Sequence, residues 1–343
     1  MTQAQNLSNW SQQFSDWSNP LANRNGFVDG AFDFWLNDSQ NVGTAGGYVN
    51  AIMWQIYAGV GGTMSSNRAD NRVYGIGESN SQNYCVLNQT VASTGTPGST
   101  SPYIAQRIEG VNKYAGKSVT LSFKIWLGSG TITIPMVLCR QNFGTGGSPS
   151  AQVSADKAIS WVLTTTPQRY SVRIDIPAIN SKTLGNNGDD NLMVGLWFPP
   201  GVTFNLGIME AQIETSSPNS SGDTTGKGGS PTAFEYRGRG PEQQRVLRYY
   251  ESGYVPPAYY NMFNGIYYIA YIFNQSLTVP KRANPTVTLS NMNYYSGGNP
   301  TVMPPANIQV LSPSPINFGI YYTGGMTNCV GCAGGNFVAD ARL

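Results

Sequence analysis

The stretch Val119-Thr-Leu-Ser-Phe-Lys-Ile-Trp126 indicates the fold class of this chain. Val, Leu, Phe and Ile alternate in it with Thr, Ser, Lys and Trp. Because successive side chains of a β-strand point to opposite faces, the alternation predicts a strand with one buried and one solvated face.

Other stretches show similar patterns and are separated by clusters of Gly, Asn, Ser and Pro, which favour turns. Short strands with regular turns and little helix predict an all-β protein built as a β-sandwich. The further strands are predicted at 131–138, 170–176, 192–198 and 203–213.

Changes in composition divide the chain into three segments. Residues 1–24 form a polar N-terminal segment, 25–245 the sandwich, and 246–343 a smaller β domain rich in Tyr, Asn and Pro. Within the second segment, 216–231 predicts a flexible loop. Pro241–Glu251 predicts a short helix with proline in its first turn.

Composition limits the function classes. Of the 343 residues only 11% are charged, against about 25% in an average protein. The formal net charge is +2, with no long basic run, so we expect no nucleic-acid partner. No apolar stretch approaches the ~20 residues of a membrane span, so we expect no membrane insertion.

The chain contains no histidine. Ser-His-Asp triads, Cys-His pairs and His-liganded zinc sites are therefore excluded. A glycosidase needs only two carboxylates, and the least implausible candidates are Asp189, Asp190, Glu210 and Glu214. We predict no catalytic residues, no cofactor and no enzymatic activity.

Two motifs that resemble ligand-binding loops are predicted to be turns. In Gly110–Ser118, five residues separate the two glycines, Gly110 and Gly116, whereas a phosphate-binding loop has four. The segment also leads into a predicted strand, so we expect a turn. The Asn186–Asn191 loop is rich in oxygen ligands but lacks regular calcium spacing, so we expect a solvated turn.

The four cysteines are predicted to be reduced. Cys85 and Cys139 lie in strand-like stretches and are expected in the core. Cys329 and Cys332 have a metal-knuckle spacing, but a zinc site would need Cys85 and Cys139 as its second pair. We expect free thiols at 329 and 332, with a disulfide or metal as alternatives.

Two groups of aromatic residues are candidate contacts. Leu7, Trp10, Phe14 and Trp17 predict a short amphipathic helix that either packs on its own domain or docks the protein into a larger particle. Paired tyrosines in strands place one ring outward, where it contacts a sister subunit or a glycan. These tyrosines are Tyr254, Tyr259, Tyr260, Tyr267, Tyr294 and Tyr295.

Nine short phrases occur in order along the chain. They are Asn25-Gly26, Phe32–Trp35, Tyr103–Gly110, Gly116–Phe123, Gln141–Ser150, Ala211–Glu214, Pro231–Arg237, Arg248–Glu251 and Val279–Thr288. Taken together, these phrases resemble the sandwich of bacteriophage tail-fibre and related virion proteins. The resemblance implies a jelly-roll sandwich like those of carbohydrate-binding modules, a smaller β domain after Arg248–Glu251, a virion location and a homotrimer.

We therefore expect a structural virion protein, a tail fibre or similar appendage, that attaches to host-surface glycan. The start Met1–Leu7 has no signal-peptide pattern, which fits assembly in the bacterial cytoplasm. Residues 1–24 would contact other virion proteins. The alternatives are a head decoration fibre or tail adaptor without receptor binding and, third, a polysaccharide depolymerase.

Overall fold

The computed structural model describes residues 24–42, 46–74, 81–217, 219–255, 272–296, 299–302, 308–322, 329–332 and 334–343. They belong to two compact units. The first runs to Glu242 and includes Leu343, and the second spans Gln243–Arg342. Strands dominate both units, which confirms the all-β prediction.

The first unit contains two antiparallel sheets. The back sheet has the order β1-β4-β5-β13-β7-β11, and the front sheet has the order β10-β8-β12-β6-β3-β2, with β9 paired to β8. The strands are β1 Ser39–Val42, β2 Gly47–Tyr48, β3 Gln55–Tyr57, β4 Thr63–Asp70, β5 Asn83–Val91, β6 Tyr103–Glu109, β7 Ser118–Leu127, β8 Ile132–Asn142, β9 Val153–Ser154, β10 Lys157–Leu163, β11 Gln168–Asp175, β12 Asn191–Trp197 and β13 Phe204–Thr215.

The chain changes sheets repeatedly along this path. It passes from back to front between β1 and β2, β5 and β6, β7 and β8, and β11 and β12. It passes from front to back between β3 and β4, β6 and β7, β10 and β11, and β12 and β13. Such crossing between two antiparallel sheets is the jelly-roll pattern. The predicted jelly-roll sandwich is confirmed.

Aromatic rings fill the space between the two sheets. Trp54 contacts Phe123 of β7 at 6.3 Å between ring centroids, and Phe27 contacts both rings. Trp161 of the front sheet stacks on Tyr170 of the back sheet at 5.6 Å. The apolar set of β7, which alternation assigned to the core, is fully buried here.

The predicted solvated face of β7 is wrong for most of its length. Thr120, Ser122 and Trp126 are buried. Thr120 donates a hydrogen bond to the Gly229 carbonyl at 2.6 Å, and Trp126 packs on Tyr84. Segments distant in sequence cover this face, so alternation alone could not show its burial.

The loop expected to be flexible is held by backbone hydrogen bonds. The Ser171 amide of β11 donates to the Gly226 carbonyl at 2.9 Å, and the Ser160 amide of β10 donates to the Thr224 carbonyl at 2.9 Å. Gly and Ser in this loop therefore allow its backbone to follow the sheet edges.

Helices in the described residues are short. Helix α1 is Asn71–Tyr74, and a 3-10 helix spans Val111–Lys113. Helix α2 is Arg239–Leu247, so the prediction of a helix up to Glu251 is wrong at its end. The chain turns instead into a strand at Tyr250, whose aromatic side chain favours that conformation.

The second unit contains three three-stranded sheets. They have the orders β14-β22-β16, β15-β20-β19 and β18-β17-β21. Their strands are β14 Tyr250–Val255, β15 Ile272–Ser276, β16 Thr286–Ser290, β17 Asn293–Ser296, β18 Asn299–Val302, β19 Ile308–Leu311, β20 Asn317–Tyr322, β21 Cys329–Cys332 and β22 Gly335–Asp340. The smaller C-terminal β domain is confirmed.

A small apolar cluster forms the described core of this second unit. It includes Phe318 and Phe337, whose ring centroids lie 5.2 Å apart, together with Ile320 and Met292. This cluster brings together residues of β20, β22 and the segment before β17.

The phrases that carry the family resemblance contain buried polar residues that tie segments together. The Asn25 side-chain amide donates to the Ala211 carbonyl at 2.9 Å, and Gln106 both accepts from and donates to the Val28 backbone at 2.7 Å. Arg237 donates to the Phe27 carbonyl at 3.1 Å. The resemblance therefore reflects residues that hold the fold, because each would be costly to bury without its partner.

Candidate functional site

The outer face of the front sheet carries a groove, because its strands alternate between core and surface. On β6, Ile104, Gln106 and Ile108 are buried toward the core, whereas Tyr103 and Arg107 face outward. The groove has a volume of about 320 Å³. It is lined by Tyr57, Ser99, Tyr103, Arg107, Leu138, Arg140, Gln152, Met193 and Trp197.

Aromatic side chains form one row across this face. Strand register places Tyr57 opposite Tyr103 and Tyr103 opposite Trp197. The Tyr57 and Tyr103 centroids are 5.3 Å apart, and the Tyr103 and Trp197 rings meet edge to face at 5.1 Å. Trp197 is buried beneath its neighbours, so Tyr57 and Tyr103 supply the accessible ring surface.

Small and aliphatic residues form the next row, which is the floor of the groove. Ala105 lies opposite Gly195, and Gly195 lies opposite Leu138. A Cβ at Gly195 would lie 1.9 Å from the Ile104 carbonyl oxygen, so glycine is required there. The low floor leaves space beside the aromatic row.

A third row carries the two cations. Arg107 and Arg140 lie opposite Met193 on its two sides. The Arg140 guanidinium lies 5.1 Å from the centroid of the Trp197 ring and pairs with Asp156 at 3.1 Å. The groove therefore combines rings, a flat floor and guanidinium groups, which together can stack on and hydrogen-bond a polyhydroxylated ligand.

The Asp156 carboxylate connects Arg140, Trp197 and the backbone of β8. Its carboxylate accepts from the Cys139 amide at 2.7 Å, from Arg140 and from the Trp197 indole at 3.4 Å. Burial raises the pKa of the Tyr103 phenol, and the nearby Arg107 charge opposes this shift. Tyr103 is therefore a neutral hydroxyl at physiological pH, able to donate and accept hydrogen bonds.

The tyrosines predicted from paired runs lie elsewhere. Tyr254 is 57% exposed on β14 of the second unit. Tyr294 and Tyr295 belong to β17, but their side chains are outside the described part of the structure. Tyr259, Tyr260 and Tyr267 lie outside the described residues, as do Trp10, Phe14 and Trp17. Their predicted roles remain predictions.

The acids considered for a depolymerase have structural contacts. Asp189 accepts from Thr145, and Asp190 accepts from the Val111 amide at 2.8 Å. Glu214 accepts from the Thr232 hydroxyl at 2.6 Å. These bonds anchor loops.

Glu210 differs from the other three acids because it lines a second groove. This groove, of about 390 Å³, lies on the back sheet beside Lys124, Arg169 and residues 231–234. Glu210 is the one acid among the described lining residues. The two-carboxylate mechanism of a glycosidase needs a second acid across the sugar.

The structure describes the side chains of two of the four cysteines, Cys85 and Cys139. Cys85 and Cys139 are reduced and buried, as predicted, and burial raises the pKa of each thiol to about 12. Within the described residues, no group of three or more Cys, Asp or Glu side chains is placed to hold a metal. The side chains of Cys329 and Cys332 are outside that set.

The Gly110–Ser118 motif is a turn. The segment after Gly110 forms the 3-10 helix that precedes β7, which confirms the predicted turn.

None of the helices in the described part of the chain has the length and apolar composition of a membrane span.

Sequence reasoning missed the groove. Its signal was present in the outward positions Tyr103, Ala105 and Arg107, and Met193, Gly195 and Trp197. Each set is a period-two series, but only the register of β6 against β12 shows that the two sets share one face.

No family model matches the chain, and no curated protein does. Among solved structures, a family 4 carbohydrate-binding module is similar at 18% identity, over 44% of this chain and 87% of that one, with a TM-score of 0.28.

Two further structures are similar at 11% identity. A family 11 carbohydrate-binding module from Clostridium thermocellum, in complex with a β-1,3-1,4-mixed-linked tetrasaccharide, matches 52% of this chain and 94% of that one, with a TM-score of 0.31. The enzymatically active domain of bacteriophage CBA120 tailspike protein 4 matches 56% of this chain and 21% of that one, with a TM-score of 0.32. Similarity at this level does not establish a shared function.

Proposed function

We propose that this chain is a non-enzymatic glycan-binding protein and that the groove of the front sheet is its binding site. The observation that carries the proposal is the outward row of Tyr57 and Tyr103, supported from beneath by Trp197. Aromatic rings present flat apolar surface to the C–H faces of sugars, while neighbouring amides and guanidinium groups bond their hydroxyls.

The setting we propose is a bacteriophage particle. The ordered phrases from Asn25 to Thr288 support a tail fibre or similar appendage, made in the bacterial cytoplasm and assembled as a homotrimer with other virion proteins. Multiple copies would raise the avidity of a weak single site. Antibody labelling of purified particles tests this location, and absence of the protein from particles would refute it.

The binding test uses the full chain and a panel of bacterial and plant polysaccharides in affinity electrophoresis. Replacing Tyr103 by Ala is expected to weaken polysaccharide binding by about 1–3 kcal/mol. This is the loss found when an aromatic ring that stacks on a nucleic-acid base is replaced by Ala. Tyr57→Ala is expected to act in the same direction. Retention of the unmodified chain by no polysaccharide in the panel would overturn the proposal.

The matched control is Tyr254→Ala, which removes an exposed tyrosine from the second unit. If the groove is the site, this variant binds as the unmodified chain does. If Tyr254→Ala abolishes retention and Tyr103→Ala leaves it unchanged, the C-terminal tyrosines are the contacts and the groove assignment is wrong. Thermal denaturation of each variant confirms that it is folded.

A further inference from the structure

Arg107 is the cation in the groove for which the described residues supply no acceptor. It forms no hydrogen bond or ion pair within the described part of the chain, and its Nε atom is buried. Arg140, in the same row, has its charge compensated by Asp156. A partly buried guanidinium without an acceptor is costly, and an acceptor supplied by a ligand would offset that cost.

Nearby acids do not supply that acceptor. Asp156 is occupied by Arg140, the Cys139 amide and the Trp197 indole. Glu109, two residues after Arg107 on β6, is not among the residues that line the groove. The groove therefore presents an excess of positive charge.

The position of Arg107 relative to the rings defines how a ligand would lie. Tyr103 and Arg107 are four residues apart on one face of β6, so their Cα atoms are separated by ~13 Å. Ala105 lies between them and is small. A saccharide of more than one ring can therefore pack on Tyr103 and extend over Ala105 to Arg107.

From this arrangement we infer that the groove selects acidic glycans, with the carboxylate of a uronic acid bound by Arg107 and a neighbouring sugar packed on Tyr103. The planar guanidinium matches a carboxylate in a two-bond fork. This inference rests on the proposed glycan-binding function and narrows it to a ligand class.

The test compares matched acidic and neutral polymers. The probes are polygalacturonate and its methyl ester, hyaluronan and its methyl ester, and dextran sulfate and dextran, titrated into the full chain at fixed salt. At least one uronate is expected to bind more tightly than its ester. Arg107→Gln is expected to weaken uronate binding by about 10- to 100-fold, the effect of losing a charged hydrogen bond, without changing ester binding.

Two further variants serve as controls for the role of Arg107. Arg72→Gln removes the same charge from a side chain that is 70% exposed and distant in sequence, and it is expected to leave uronate binding unchanged. Arg107→Lys keeps the charge and removes the fork, and it is expected to recover part of the lost affinity.

Each outcome has a defined meaning. Equal binding of uronates and their esters, or unchanged uronate binding by Arg107→Gln, overturns the acidic-glycan inference and leaves glycan binding intact. Binding of dextran sulfate alone assigns the site to sulfate esters and overturns the carboxylate. Binding of none of these probes, nor of the wider panel, overturns the proposed function itself.

Discussion

The first unit buries Asp29 among backbone amides, whereas the second unit buries Glu251 against a lysine. Asp29 accepts hydrogen bonds from the Asp33 amide at 2.7 Å and the Phe34 amide at 3.2 Å. Glu251 accepts from Lys281 at 2.5 Å and from the Thr278 hydroxyl at 2.6 Å. The same chemical group is thus stabilised in two different ways.

These two arrangements shift the two carboxyl pKa values in opposite directions. Burial raises the pKa of Asp29 well above its ordinary value, and the amide hydrogen bonds offset only part of that effect. Burial also acts to raise the pKa of Glu251, but the bonds from Lys281 and Thr278 outweigh it, and the pKa is lowered.

The difference follows from the partners of each carboxyl group. Asp29 is buried with backbone amides as its hydrogen-bond donors, and within the described residues no cation is among the causes of its pKa shift. The second unit has a small described cluster, and Lys281 there also donates to the Leu247 and Val279 carbonyls at 2.6 and 2.9 Å. One buried ion pair therefore joins the helix end, a strand and the segment before β16.

Breaking that ion pair should give the largest effect. Lys281→Met leaves Glu251 buried without its cation, and we expect a loss of about 3–5 kcal/mol in the stability of the second unit. Hydrogen exchange should show faster exchange in 243–342 and unchanged protection of β7 and β13.

The double variant Lys281→Met, Glu251→Leu is the control, since replacing both charges by apolar groups is often neutral. If it is as unstable as the single variant, the pair is not the cause. Equal loss of protection in both units would contradict the comparison.

Opposite pH dependence is the second expected effect. Because the folded pKa of Asp29 is raised, its stabilising contribution is complete at acidic pH and is lost as pH rises through that pKa. Unmodified protein should therefore lose stability relative to Asp29→Asn as pH rises above the ordinary pKa of 3.8.

Glu251 should show the reverse, because its folded pKa is lowered. Its contribution is complete above the ordinary pKa and is lost as pH falls below it. Unmodified protein should lose stability relative to Glu251→Gln on acidification below about pH 4.5, measured by denaturant unfolding. Slopes of the same sign for both residues would contradict the two mechanisms.

The smallest effect is expected at an exposed ion pair of the first unit. Arg68 pairs with Asp38 at 2.5 Å, and the two side chains are 42% and 78% exposed. Arg68→Met should cost less than about 1 kcal/mol, since solvent screens the pair. A loss comparable to that of Lys281→Met would show that burial is not what separates the two pairs.

Sequence pattern predicted the fold better than the site. Alternation located β7, β8, β11, β12 and β13, because each strand records its buried face in its own residues. It failed on the outer face of β7, which residues far along the chain cover. It also missed the groove, because Tyr57, Tyr103 and Trp197 come together only through the register of three strands.

Tyrosine pairs such as Tyr294-Tyr295 are adjacent in the sequence and can be recognised without knowledge of the fold. The groove residues are single aromatics spaced along separate strands, and their meaning depends on their neighbours across the sheet. A local pattern reports which way a side chain points, but a binding surface depends on pairing between strands.

The division of β6 and β12 into odd and even positions has a consequence for how this protein can change. Residues 104, 106 and 108 and residues 192, 194 and 196 hold the interior, while 103, 107 and 193 are on the outside. The preference of the proposed binding site can therefore drift by exchange at the outer positions without a compensating change in the interior. A library randomised at 103, 107 and 193 should yield folded proteins with altered ligands from the same scaffold.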